Sequence, residues 1–385
     1  MRYFLLLLLL LIALLSFSHP SLHATPKTED ILPLFQPEDS VEETDSLYFP
    51  FVRNHVAPIY WGAYVQNAPW NMAELDTFEA ITEKPVAIVH FGFPWKQNGV
   101  FRNFPTPQMD AIRERGSIPL IGWGSQHLGY GPEQPDFRLS VIASGSYNDF
   151  ITKWALAAKA WGHPFFLKFD WEMDGQWQFP WSVQLNGNQI DDYVVAWRHV
   201  HDIFTAQGAT NVTWVWCPTT VSPKSVPLPP LYPGDDYVDW TCLHGYNFGD
   251  PNWLTFAEVF SGYPQNPYDS YQQILDIAPS KPIMLGEWAS AEAGDGGAKK
   301  AAWIRDALEV QIPNNYPQIR AVVWFNWNSE EGRTWNIDSS AASAEAFASA
   351  IASPFYAAND FATLSTSPIP PLNSSDPPNN KSNLP

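Results

Sequence analysis

The chain is poor in cations and nearly free of cysteine. Lys and Arg total 21 against 40 Asp and Glu, a formal charge of −19. Only 16% of the 385 residues are charged at all. Such a surface has no basic face for phosphate, which excludes nucleic acid as a partner. It also repels anionic membranes and polyanionic polysaccharides. Two cysteines, Cys217 and Cys242, are too few for a disulfide-dense scaffold or a zinc site. Their spacing is compatible with one bridge or with two buried thiols. Three motifs are missing as well. The segment after the first strand-like run, Val65-Gln66-Asn67-Ala68-Pro69, is not a Gly-rich phosphate loop. There is no Walker sequence and no Gly-x-Ser-x-Gly elbow. Nucleotide and serine-hydrolase chemistry are thereby set aside, and no cofactor or metal is expected.

Long apolar runs are scarce. One, Phe4–Leu15, follows Met1-Arg2 and is too short to span a bilayer comfortably. Its pattern is that of a secretory signal peptide over residues 1–24, so the protein is expected to be secreted, with no membrane contact after cleavage. Residues 25–55 read as an extended lead-in rich in Pro and acid. Residues 364–385 read as a disordered tail of Pro, Ser and Asn.

Aromatic side chains are abundant: 24 Phe, 19 Trp and 15 Tyr. Trp is bulky and carries an N–H that needs a partner. A flat, neutral, amphipathic ligand accounts for the surplus, and sugars fit that description.

Between residues 56 and 355 eight β-rich runs alternate with helical or turn-rich segments. They are Ile59–Tyr64, Ala87–Gly92, Ile118–Trp123, Phe165–Glu172, Val212–Pro218, Val238–Asn247, Pro282–Glu287 and Ala321–Trp327. The runs are apolar on both faces, as buried parallel strands are. Eight such units predict an α/β fold, a single (β/α)8 TIM barrel acting as a monomer.

A barrel places its chemistry at the C-terminal ends of the strands. Run four ends in Asp170-Trp171-Glu172 and run seven in Glu287. Two carboxyl groups facing one bond about 5–5.5 Å apart serve as nucleophile and acid/base in retaining glycosidases. Glu172 and Glu287 are therefore the candidate catalytic pair. A lone strand-end Glu is usually just ion-paired, but two at matching ends among aromatics favour catalysis. Candidate sugar contacts are His90, Trp123, Trp171, Trp177, Trp181, His244, Tyr246 and Trp324, all at strand ends or on the loops beyond. The competing possibility for the Trp177–Trp181 loop is that it folds over a small core of its own.

These residues resemble glycoside hydrolase family 26, best known for endo-β-mannanases, over about residues 59–340. Trp171-Glu172-Met173-Asp174-Gly175, with Trp177 and Phe179-Pro180-Trp181 behind it, is similar to the family's acid/base segment. Tyr232-Pro233-Gly234-Asp235-Asp236 leading to Gly245-Tyr246-Asn247 is a second match, and Lys281–Glu287 resembles the nucleophile strand. The resemblance implies Glu172 as acid/base, Glu287 as nucleophile and Tyr246 as hydrogen-bond donor to the nucleophile. It implies Trp324 as the aromatic floor under the sugar, and a cofactor-free double displacement. The expected partner is a neutral β-linked polysaccharide, first β-1,4-mannan, with mixed-linkage β-glucan and β-1,3-xylan as alternatives. Three positions depart from the family pattern: Trp171 for His, Asp174 for Asn and Lys168 for Arg. These departures are what would support a different reading, a catalytically inactive carbohydrate-binding barrel.

Overall fold

The computed structural model describes residues 57–175, 179–328 and 333–373. The signal-peptide and lead-in expectations (1–24 and 25–55), Trp177 and the tail beyond Asn373 lie outside them.

Eight strands form the barrel: Ile59–Val65 (β1), Ile88–Gln97 (β2), Ile118–His127 (β3), Phe165–Phe169 (β4), Val212–Trp216 (β5), Trp240–Asn247 (β6), Ile283–Ser290 (β7) and Ile319–Asn326 (β8). Each pairs in parallel with the next, and β1 pairs with both β2 and β8, which closes the sheet. The fold is a single (β/α)8 barrel.

Helices cover the outside: Met72–Thr82 (α1), Thr106–Glu114 (α2), Asn148–Trp161 (α3), Ile190–Gln207 (α4), Phe256–Ser261 (α5), Ser270–Ile277 (α6), Ala298–Arg305 (α7) and Ala341–Ile351 (α8). In α3 the buried residues are Ile151, Trp154, Ala155, Ala158 and Trp161, one stripe at helical spacing. The helix stops at Gly162, whose φ of 74° favours a residue without a side chain. A reciprocal Gln189–Asp192 capping box starts α4. The β5–β6 connection is rich in proline, and its described backbone holds only a 3₁₀ turn at Pro229–Leu231. Proline lacks the N–H that a longer helix would need.

Side chains alternate across each strand. One set fills the barrel with Tyr60, Ile88, Leu120, Phe166, Val215, Trp240, Met284 and Val323, all buried. The other set packs against the helices, with Trp61, Trp123, Leu167, Trp216, Leu285 and Trp324 among it. This parity decides which strand-end residues reach the mouth.

The base of the barrel corrects one expectation. The chain was expected to be disordered from Leu364, yet residues 356–373 run across the N-terminal ends of the strands. Tyr356 pairs with Ile59, and the Phe361 ring lies 5.1 Å from that of Tyr60. Ile369 is buried inside the barrel base. Its N–H donates to Thr213 Oγ1 at 2.8 Å, and its carbonyl accepts from Trp240 Nε1 at 2.8 Å. Proline-rich chain has few N–H groups to satisfy, so beyond the short strand Tyr356–Ala357 this segment can lie flat on an apolar base without further pairing.

Candidate active site

Inward parity brings Tyr64, His90, Lys168, His244, Tyr246 and Phe325 to the mouth, one layer above the apolar interior. Glu287 joins them from β7, where the register shifts on both flanking pairs. Gly286 precedes it. A Cβ there would lie 2.4 Å from Cys242 Sγ and 3.2 Å from His244 Nε2, so only glycine fits. Cys217 and Cys242 form a disulfide under this layer.

Glu287 is buried and accepts two hydrogen bonds. Tyr246 Oη donates to Oε2 at 2.8 Å and Lys168 Nζ to Oε1 at 3.0 Å. His90 Nδ1 is 3.7 Å from Oε1. Lys168 is fully buried, and its Nζ is also 2.7 Å from His244 Nε2. An ammonium can only donate, so Nε2 accepts and the imidazole carries its proton on Nδ1. Nδ1 is 2.6 Å from Glu172 Oε1, to which it donates. Burial, then the Lys168 charge, holds His244 well below the usual imidazole range, in keeping with this neutral tautomer.

β4 ends at Phe169, three residues earlier than the apolar run suggests. The backbone then turns through two left-handed residues, Asp170 at φ 42° and Glu172 at φ 56°. Each costs of the order of 1–3 kcal/mol for a residue with a side chain. Glu172 N–H donates to the Cys217 carbonyl at 2.8 Å. Burial, reinforced by the Glu287 charge, pushes the Glu172 carboxyl well above the usual range, and Lys168 opposes the rise. One oxygen of Glu172, one of Glu287 and a ring nitrogen of His244 lie within 4.8 Å of one another.

The aromatic expectations divide by parity. Trp171 is half-buried at the mouth, with Lys168 Nζ 5.4 Å from its ring centre. Tyr64 faces inward too, its ring 5.1 Å from those of His90 and Phe325 and stacked on Trp327 at 5.8 Å. Trp123 and Trp324 do not reach the mouth. Trp123 packs 4.4 Å from Trp154 on the helix side, and Trp324 packs 4.9 Å from Trp288. Both are fully buried. Phe325, the next residue, occupies the inward position expected of Trp324. Trp181 is also buried, which corrects its assignment as a sugar platform. It lies behind Trp171, donates Nε1–H to the Trp171 carbonyl at 2.6 Å and stacks on Phe179 at 4.6 Å. Gly124 makes room for it, since a Cβ there would be 2.6 Å from the indole. Over its described part, the loop does fold onto a core of its own.

Lys168, Tyr64 and Phe325 were not among the expected site residues. Lys168 had a visible signal, a cation inside the buried run Phe165-Phe166-Leu167-Lys168-Phe169. Tyr64 and Phe325 had none, because aromatics occur on both faces of these strands.

Residues 143–261 match the sequence profile of glycosyl hydrolase family 26. The chain is 33% identical over 315 residues to Endoglucanase H of Acetivibrio thermocellus, an alignment spanning 79% of this chain and 32% of that protein. The chain is similar to glycosyl hydrolase family 26. It is also 31% identical over 118 residues to Beta-1,3-xylanase TXYA of a Vibrio species, across 29% of this chain and 23% of that one. The chain thus spans about a third, and about a quarter, of these two relatives. The family 26 β-mannanase BoMan26A of Bacteroides ovatus shares the fold, with a TM-score of 0.54, 18% identity and coverage of 78% and 90% of the two chains. The chain departs from the family 26 pattern at Lys168, Trp171 and Asp174.

Proposed function

We propose that the protein is a retaining endo-β-glycanase acting on a neutral β-linked polysaccharide. The observation that carries this is the carboxylate pair, with oxygens of Glu172 and Glu287 within 4.8 Å across the mouth. Double displacement needs carboxyl groups about 5–5.5 Å apart, whereas inversion leaves about 6.5–9.5 Å for a water.

The two environments differ as the two roles require. Tyr246 and Lys168 hold the Glu287 carboxylate as an anion aimed into the cleft. Glu172 is desolvated beside another negative charge and keeps its proton. Glu287 attacks the anomeric carbon while Glu172 passes its proton to the departing oxygen. The glycosidic bond breaks and a glycosyl ester forms on Glu287. That ester carries no charge, so the repulsion that added to the effect of burial on Glu172 is gone. Glu172 is then the better base. It takes a proton from water, whose oxygen displaces Glu287 and releases the sugar.

Among backbones, a β-glucan ranks ahead of β-1,4-mannan. Endoglucanase H aligns over most of this chain, whereas the mannanase shares only the fold. A reducing-end assay on β-glucans, mannan, glucomannan and β-1,3-xylan decides between them. Glu172→Ala and Glu287→Ala should each lower the rate by about 10²–10⁴-fold or more. Wild-type rates in both variants would overturn the assignment. Binding of a polysaccharide without any cleavage would favour an inactive barrel.

A further inference from the structure

Glu172 is held on a strained turn, and the ties that hold it come from two neighbouring strand ends. On one side Asp170 is fully buried. Its Oδ1 accepts the Ser125 N–H at 2.8 Å, and its Oδ2 accepts the Ser125 hydroxyl at 2.7 Å. Ser125 lies on β3, in the strand that flanks β4. On the other side Asp174, also buried, accepts the Thr219 N–H at 2.9 Å and the Thr219 hydroxyl at 3.1 Å. Thr219 follows β5, the other flanking strand. Asp170 is left-handed and forms one clamp itself, and the second left-handed residue, Glu172, lies between the two.

Neither clamp has a part in the chemistry. Both aspartates use their oxygens on the backbone and hydroxyl of one residue each, and neither carboxyl makes a hydrogen bond to Glu172 or Glu287 among the described residues. Left-handed backbone at residues with side chains persists only where the surroundings over-determine it. Two-point contact through one carboxyl group fixes both distance and orientation, which a single hydrogen bond does not. Turning 170–174 even slightly would swing Glu172 away from His244 Nδ1 and from the departing oxygen.

We propose that Asp170 with Ser125, and Asp174 with Thr219, are positioning residues that set Glu172 in place as the proton donor. This rests on the reading of Glu172 as the acid.

The test separates proton donation from general damage. A 2,4-dinitrophenyl leaving group departs without protonation, whereas a sugar needs it. The substrates are the polysaccharide that is cleaved and the 2,4-dinitrophenyl β-glycoside of the disaccharide it yields. The parameter is kcat/KM, which reports formation of the glycosyl ester. Ser125→Ala, Thr219→Val and Asp170→Asn should lose roughly ten- to a hundred-fold on the polysaccharide. On the aryl glycoside they should stay within about threefold of wild type, because Glu287 is untouched. Glu172→Ala is the reference and should show the same split, larger. Equal losses on both substrates, or no loss on either, would overturn the positioning role. If Asp170→Asn fails to fold, Ser125→Ala and Thr219→Val decide, since each keeps its backbone donor. A Glu172→Ala variant with no split would instead overturn the acid assignment, and the positioning role with it.

Discussion

Lys168 puts one positive charge where two carboxylates and an imidazole compete for it. It touches Glu287 and His244 directly, and its field lowers the proton affinity of Glu172. Burial in turn pulls the ammonium below the usual lysine range, while Glu287 resists that. The consequence for pH dependence has a definite sign. The acid form of Glu172 is needed, so kcat/KM falls as pH rises through its raised value. Lys168→Met removes a charge that favours the carboxylate. The alkaline limb should therefore move to higher pH, while the maximum falls because Glu287 loses a donor. A pH profile of kcat/KM checks both at once, and an alkaline limb moving to lower pH would contradict the network. Arg at 168 would keep the charge but present a planar fork where the chain now has a compact ammonium.

Among the elements, the strands were legible in the sequence and their facing was not. Eight apolar runs bounded by helical or turn-rich segments are enough to predict the barrel and to place Glu172, Glu287, His90, His244 and Tyr246 at its mouth. Which face a residue takes depends on a two-residue period. That period is hidden when both faces are apolar, as in Val322-Val323-Trp324-Phe325. Hence Trp324 was expected where Phe325 stands, and Trp123 was expected at the mouth although it faces the helices. The end of β4 was hidden for another reason. The turn at Asp170 depends on Ser125, 45 residues earlier, and no local pattern reveals such a partner. The closing segment misled by composition, since Pro, Ser and Asn signal disorder only where there is nothing apolar to lie on. Its anchoring can be measured. Ile369→Ala should lower stability by about 2–4 kcal/mol, read from the urea midpoint. The specific activity of the folded fraction should not change, because the site is at the opposite end of the barrel. A loss within about 0.5 kcal/mol would mean that the segment is not anchored there.

At the scale of the whole molecule, the deficit of cations acts at a distance. A chain of formal charge −19 repels a polyanion before any contact is made. Carboxymethylation of the polysaccharide it cleaves should slow turnover, and added salt should recover part of the loss by screening. The same salt should leave the rate on the neutral polymer nearly unchanged. Reducing-end release across a salt series shows the difference, and equal salt responses would argue against a long-range effect. The strap across the barrel base has a practical corollary. Thr366 is exposed on it, on the face away from Glu172 and Glu287. A surface-coupling group placed at that residue would stand each molecule on its closed end, leaving the cleft open to long polymers in solution.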